Sequence, residues 1–279
     1  MDNYFNILVI GSSSQLAFEI KDISLSLTNK HIFTFVSKDQ LNIVNQKEVE
    51  EFFKKNKFDI VINCAAYNAV DMAESDIKNA IMINHKGVEN LARMAKYNNY
   101  ILIHFSTDYV FDGDSDKPYT EDLAPKPLSI YGTSKLNGEN AILDIAPKSI
   151  IIRTSWLYSQ YGNNFVKKII SLGKSKNKIS VINDQIGSPT YAKDLANAVF
   201  CIINSTQYFN HIEQPEIFHY SNQGSTTWYG FAKEIFQIAK INCLVIPVDT
   251  LAINQIATRP KFSVLNSEKI KNTFNFNIP

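Results

Sequence analysis

Tyr131 and Lys135 stand four residues apart, a spacing that puts both side chains on one face of a helix, a turn from each other. A tyrosine hydroxyl ordinarily ionises at about pH 10. A neighbouring ammonium favours the phenolate, so the pair suits proton exchange nearer neutrality. The same spacing also occurs on solvated helices that do no chemistry, so the pair draws its weight from what precedes it. Ile101-Leu102-Ile103-His104-Phe105 reads as a buried parallel strand, which sets Ser106 and Thr107 at its carboxyl end, where open α/β sheets bind ligands. Residues 112–127, rich in Asp, Pro and Gly, form a loop longer than a connector needs, as functional loops tend to be.

The elements that would hold these residues follow from periodicity. Ile7 to Ile10 is a short apolar strand ended by Gly11, and Leu16, Ala17, Ile20, Ile23 and Leu27 then recur at helical spacing. Further strands are expected over 31–36, 58–63, 101–105 and 149–153. Helices are expected around 49–53, over 79–97 as one long helix, and from Tyr131 to about Leu143. Such alternation predicts right-handed βαβ units and an α/β fold with a Rossmann-like, doubly wound parallel sheet. After Arg153 the pattern changes to helices over 165–172, 191–203 and 228–240, strands over 178–182 and 217–220, and an extended piece over 243–247. Residues 1–153 are therefore expected to form the Rossmann-like unit, and its first turn and the loop after its second strand make it the NADP(H)-binding one. Residues 154–279 are expected to form a smaller C-terminal α/β substrate lobe, with about 190–205 returning to the first unit.

A dinucleotide turn places glycines between the first strand and helix so that backbone can approach a pyrophosphate. In that register the chain reads Gly11-Ser12-Ser13-Ser14-Gln15-Leu16-Ala17, with Ser14 and Ala17 where glycines would stand. Ser13, Ser14, Gln15 and Leu16 would meet the phosphates at the helix N-terminus. A plain strand-helix turn with a serine N-cap accounts for the same residues equally well. At the end of the second strand, Ser37-Lys38 replaces the acid that would select NAD. A hydroxyl and a cation suit a 2′-phosphate and favour NADPH over NADH, though NADH is possible and Lys38 also reads as a solvated loop lysine.

The 279 residues are 45% hydrophobic, enough for a large core, and 28 basic against 27 acidic residues leave a net charge of +1. No basic run or stripe points to nucleic acid or an anionic membrane surface. Cys64, Cys201 and Cys243 are too scattered to suggest a metal site and read as free thiols of a reducing compartment. Residues 1–6 carry no basic n-region, and no apolar run approaches the roughly 20 residues of a membrane helix. A cytoplasmic protein is the expectation.

The Tyr131-Gly132-Thr133-Ser134-Lys135 motif, the run Ser106-Thr107-Asp108-Tyr109-Val110-Phe111-Asp112-Gly113 and the modified glycine turn together resemble the extended short-chain dehydrogenases/reductases. Within them the chain is most similar to the dTDP-4-dehydrorhamnose reductase family. Asn63-Cys64-Ala65-Ala66-Tyr67-Asn68-Ala69-Val70-Asp71, Arg153-Thr154-Ser155-Trp156, Gly162-Asn163-Asn164-Phe165, Gly187-Ser188-Pro189-Thr190 and Arg259-Pro260 continue the similarity in order. The resemblance implies an NADPH-dependent reduction of the C4 carbonyl of a nucleotide-linked 4-keto-6-deoxy sugar, dTDP-4-dehydrorhamnose to dTDP-L-rhamnose, for cell-surface polysaccharide. It makes Tyr131 the proton donor, Lys135 its tuner and a ribose ligand, and Thr107 the donor to the substrate carbonyl. Ala65, Ala66 and Tyr67 would line the cofactor. Val70, Asp108, Trp156 and Asn163 would lie near the sugar, Arg259 would meet the diphosphate, and Asn42 stands where the family has an aspartate. A homodimer is possible. Two other functions fit the same fold: a non-catalytic nucleotide-binding regulatory subunit and a related sugar-nucleotide epimerase or dehydratase. The intact Thr107, Tyr131 and Lys135 speak against the first. Asp108-Tyr109, where dehydratases carry Asp-Glu, speaks against elimination of water, since tyrosine is no base near pH 7.

Overall fold

The computed structural model of the chain describes residues 4–26 and 30–279. Leu27, placed by its spacing on the first apolar stripe, lies outside them, as do residues 1–3. The first half alternates as expected: β1 Asn6–Ile10, α1 Gln15–Ser26, β2 Ile32–Val36, α2 Gln46–Lys55 and β3 Ile60–Asn63. Two short helices follow, α3 Val70–Ala73 and α4 Ile77–Ile81, then α5 Val88–Asn98, β4 Ile101–Thr107, α6 Ile130–Ile145 and β5 Ser149–Thr154.

The second half runs β6 Leu157–Tyr158, α7 Phe165–Ser175, β7 Lys178–Ile182, β8 Ile186–Gly187, β9 Thr190–Tyr191 and α8 Ala192–Asn204. It ends with α9 Thr206–His211, β10 Glu216–Tyr220, β11 Thr226–Thr227, α10 Trp228–Ala239, β12 Leu244–Val248 and α11 Glu268–Phe274.

Six strands form one sheet in the order β10-β5-β4-β3-β1-β2, every pair parallel. Strand order reverses between β1 and β3, so a crevice opens there at the carboxyl ends. Alternate side chains explain why the sheet is covered twice. Ile7, Val9, Ile60, Ile62, Ile103 and Ile152 meet Ala17 and Ile20 of α1 and Leu195 and Val199 of α8 on one face. Leu8, Ile10, Val61, Leu102 and Ile151 meet Val49, Phe53, Leu91, Ala92 and Ile142 on the other. Strand β10 extends this sheet beside β5, although some 60 residues of sequence separate the two. A separate core of Ile169, Ile179, Val181, Ala232 and Phe236 joins α7, α10 and the parallel pair β7-β12.

The long helix expected over 79–97 is instead three pieces, α4, a π-helical turn Met82–Gly87, and α5. Asn84 is the cause that can be named. Its side chain, buried in that turn, accepts from the Tyr67 amide at 2.8 Å and donates to the Tyr67 carbonyl at 3.0 Å and to Ser134 Oγ at 3.0 Å. The π-turn brings an amide to three groups outside the helix, an irregularity of the kind found at functional sites.

Candidate active site

Helix α6 starts at Ser129, whose hydroxyl accepts from the Gly132 amide at 3.1 Å. Gly132 and Gly138 let the helix lie directly against backbone: an added Cβ would strike the Tyr109 carbonyl at the first and the Asn84 carbonyl at the second. That approach buries Lys135 to 2% exposure and brings Tyr131 beside the end of β4, its ring edge-on to Tyr109 at 5.8 Å.

Tyr131, Lys135, Thr107 and Asp108 all line one cavity of about 560 Å³ at the carboxyl ends of the strands. Ser14, Gln15 and Leu16 enter it from the head of α1, and Ala65, Ala66 and Val70 from the segment after β3. Trp156, Asn163 and Arg259 close it from the second half of the chain. The remaining expected cofactor residues do not line it. Gly11, at φ +80°, forms the wall behind: a Cβ there would lie 2.7 Å from the Ala65 nitrogen. Ser13 and Lys38 are exposed. The Ser37 amide donates to Gln40 Oε1 at 2.9 Å. Asn42 closes its own turn, its amide donating to Glu48 at 2.6 Å and its Oδ1 accepting from Val44. Tyr67 is clamped through its backbone by Asn84, while its hydroxyl donates to Asp76 at 3.1 Å. Ser14 lines the cavity, and its hydroxyl accepts from the Ala17 amide at 3.3 Å as a serine cap does.

Electrostatically, burial decides most of this site. It pushes the Tyr131 phenol up to about 12, with the Thr107 hydroxyl pulling back and the Asp108 charge adding to the rise. It brings the Lys135 ammonium down to about 8, against the favourable pull of Glu139. The expected lowering of Tyr131 by the lysine is therefore not what this geometry gives. Lys135 Nζ is instead committed to the Phe105 carbonyl at 2.5 Å. Burial also raises the Asp108 carboxyl to about 7, and its Oδ1 accepts from Thr107 Oγ1 at 3.0 Å. Ser106 Oγ and Thr154 Oγ1, on residues that line the cavity, find no hydrogen-bond partner among the described residues. Arg259 makes a fork to Asp71, with nitrogen-oxygen distances of 2.9 and 2.7 Å.

Several lining residues lie outside the set expected to form the site. Trp228 stacks on Trp156 with ring centroids 3.4 Å apart and planes 5° from parallel, and Phe165 tilts against Trp228 at 4.5 Å. Trp156 itself takes a left-handed backbone, φ +46°, and its ring fills the space where Gly187 lacks a side chain. Lys168 and Tyr109 also reach the cavity. Trp228 opens an amphipathic helix and reads locally as core, so only the fold reveals its place.

The chain matches the family described as RmlD substrate binding domain over residues 5–279. It is 37% identical to the dTDP-4-dehydrorhamnose reductase of Salmonella typhimurium, over 98% of this chain and 93% of that one. Among solved structures it resembles the Bacillus anthracis dTDP-4-dehydrorhamnose reductase in complex with NADP, with a TM-score of 0.92 and 36% identity over 99% of this chain and 95% of that one. The dTDP-4-dehydrorhamnose reductase ortholog of Clostridium acetobutylicum gives a TM-score of 0.90 and 38% identity, over 96% of this chain and 92% of that one.

Proposed function

The chain belongs to the RmlD substrate binding domain family, and from that premise we propose that it reduces the C4 carbonyl of dTDP-4-dehydrorhamnose with NADPH, giving dTDP-L-rhamnose for cell-surface polysaccharide. The observation that carries this reading is the meeting of Thr107, Tyr131 and Lys135 in one cavity with the head of α1. The residues fit a dinucleotide cofactor. Gly11 lets the turn pack against the Ala65 backbone where a Cβ would clash, α1 presents its N-terminal turn to the cavity, and Ser106 and Thr154 offer buried hydroxyls that lack partners among the described residues. Ser14, Gln15, Leu16, Ala65 and Ala66 would hold that cofactor, with Lys135 at its ribose. When bound it supplies the hydride.

The chain's own part is to hold the sugar and move one proton. Thr107 lies where it can donate to the C4 oxygen once its hydroxyl turns from Asp108, steadying the charge that develops there. Tyr131 delivers the proton that completes the alcohol. With its phenol held near 12, it stays protonated across the working range and acts as an acid. Asp108, raised to about 7, accepts from the Thr107 hydroxyl until the C4 oxygen takes that donor. Val70, Trp156 and Asn163 would bound the sugar, and Arg259 would meet the diphosphate with the planar fork it now gives to Asp71.

Among the described residues no helix is long and apolar enough to cross a membrane. We place the reaction in the cytoplasm, supported by the free thiols of Cys64, Cys201 and Cys243, and include a homodimer that sedimentation velocity would reveal. The test is incubation with dTDP-4-dehydrorhamnose and NADPH, followed by absorbance of the reduced nicotinamide and analysis of the sugar. One NADPH should disappear per dTDP-L-rhamnose formed. Conversion of dTDP-glucose to a 4-keto-6-deoxy product without net cofactor consumption would overturn the assignment.

A further inference from the structure

Two buried polar side chains, Asn63 in the cavity lining and His104 behind it, have no part in the reduction as described. Asn63 and His104 are register partners on β3 and β4, 1% and 0% exposed. The Ala65 amide donates to Asn63 Oδ1 at 3.1 Å, which fixes the oxygen end of that carboxamide. Its Nδ2 end therefore meets His104 Nδ1, at 3.1 Å, and a ring nitrogen receiving an N–H must be an acceptor. Burial, with the nearby Lys135, holds His104 well below the ordinary imidazole range. The ring is neutral, and its single proton sits on Nε2. That nitrogen lies 3.5 Å from Lys135 Nζ.

Resting on the reading that Lys135 serves the reduction, we propose that His104 is a positioning residue: Asn63 holds it as the Nε2–H tautomer, and it turns a donor toward Lys135 that opposes the ammonium and leaves the Phe105 carbonyl as that lysine's anchor. A donor beside a cation disfavours the charged form, whereas a neutral amine would accept the same N–H. The other groups that act on Lys135 pull the opposite way. Glu139, one turn along α6, favours the ammonium but is shared with Arg153 through contacts of 2.6 to 3.2 Å. Cys64 favours it only as a thiolate, and burial pushes that thiol up to about 12. Burial does most to lower the Lys135 ammonium, and the His104 donor is the neighbour that adds to that lowering instead of opposing it. Because the Ala65 nitrogen that orients Asn63 is also the atom packed against Gly11, the dinucleotide turn and the lysine share one rigid connection.

His104→Asn keeps an acceptor near the Nδ1 position for Asn63 and deletes the Nε2 donor. The alkaline limb of kcat/KM, where the ammonium is lost, should move up by about one pH unit relative to wild type. A fall in kcat with that limb unmoved would mean that His104 only fills space, and would overturn the proposal. A second measurement needs no activity: 15N-labelled histidine in the wild-type protein should give His104 the Nε2–H pattern between about pH 6 and pH 8. Its signal is identified by its loss in His104→Asn or, should that variant not fold, by replacing the other four of the five histidines one at a time. An Nδ1–H pattern or an imidazolium would sink the inference while leaving the reductase reading untouched. Absence of turnover in wild type with the Nε2–H pattern present would sink the reductase reading alone.

Discussion

Tyr131 carries the sharpest consequence at the scale of single residues. It is the acid of the proposed reduction and stands half-buried in the cavity wall. Tyr131→Phe should therefore fold as wild type, by circular dichroism and melting, and lose about 10²- to 10⁴-fold in kcat. Near-wild-type turnover would remove it from the mechanism. Lys38 offers a weaker but separable case. It is exposed at the end of β2, outside the cavity lining, so any contact with a 2′-phosphate would be made in solvent. Lys38→Ala is expected to raise KM for NADPH by about three- to tenfold, the scale of one partly screened charge contact, and to leave KM for NADH unchanged. Equal effects on both nucleotides would show that the residue does not read the phosphate. The types and spacing of Thr107, Tyr131 and Lys135 were legible in the sequence. Their electrostatics were not, because how deeply α6 buries them depends on Gly132 and Gly138 meeting backbone more than 20 residues away.

Helix α6 and the π-turn Met82–Gly87 act as one element. Gly138 lies against the Asn84 carbonyl, and Asn84 donates to Ser134 on the same helix. Gly138→Ala puts a methyl where there is no room. Alanine's better helix propensity, about 1 kcal/mol, is outweighed by the overpacking, typically 1–3 kcal/mol. The expected outcome is a lower chemical-denaturation midpoint together with a kcat loss larger than the change in KM, since Lys135 sits three residues before the displaced position. A variant as stable and active as wild type would show that the helix can shift freely. Periodicity placed the strands well because both sheet faces are apolar and each strand reads as a continuous run. It placed one long helix over 79–97 because a single π-turn shifts the apolar stripe by one residue without ending the helix. Nothing local distinguishes the two, and only the partners of Asn84, 17 and 50 positions away, explain the turn.

Taken as a whole molecule, the cavity is built by pairs that sequence order keeps apart. Strand β10 completes the sheet beside β5, Trp228 backs Trp156, and Arg259 reaches Asp71 across 188 positions. Such pairings leave no periodic trace: Trp156, Asn163 and Arg259 were legible as site residues through their motifs, whereas their partners Trp228 and Asp71 were not. Arg259 tests how the walls work together. Its side chain is 15% exposed and that of Asp71 42%, and the guanidinium bond holds the Asp71 carboxyl below its usual range. The contact is too exposed to count as a buried ion pair and too well formed to be an idle surface one. Arg259→Lys retains the charge but cannot match two oxygens at once, whether those of Asp71 or of a diphosphate. We therefore expect KM for the nucleotide sugar to rise about tenfold, equivalent to about 1.4 kcal/mol. The kcat should stay within about twofold, because Tyr131 and Thr107 are held by β4 and α6 and not by this clasp. Steady-state kinetics with NADPH saturating would measure both. A change in kcat alone would instead tie Arg259 to the reacting carbonyl, and an unchanged KM would confine it to joining α3 to the C-terminal segment.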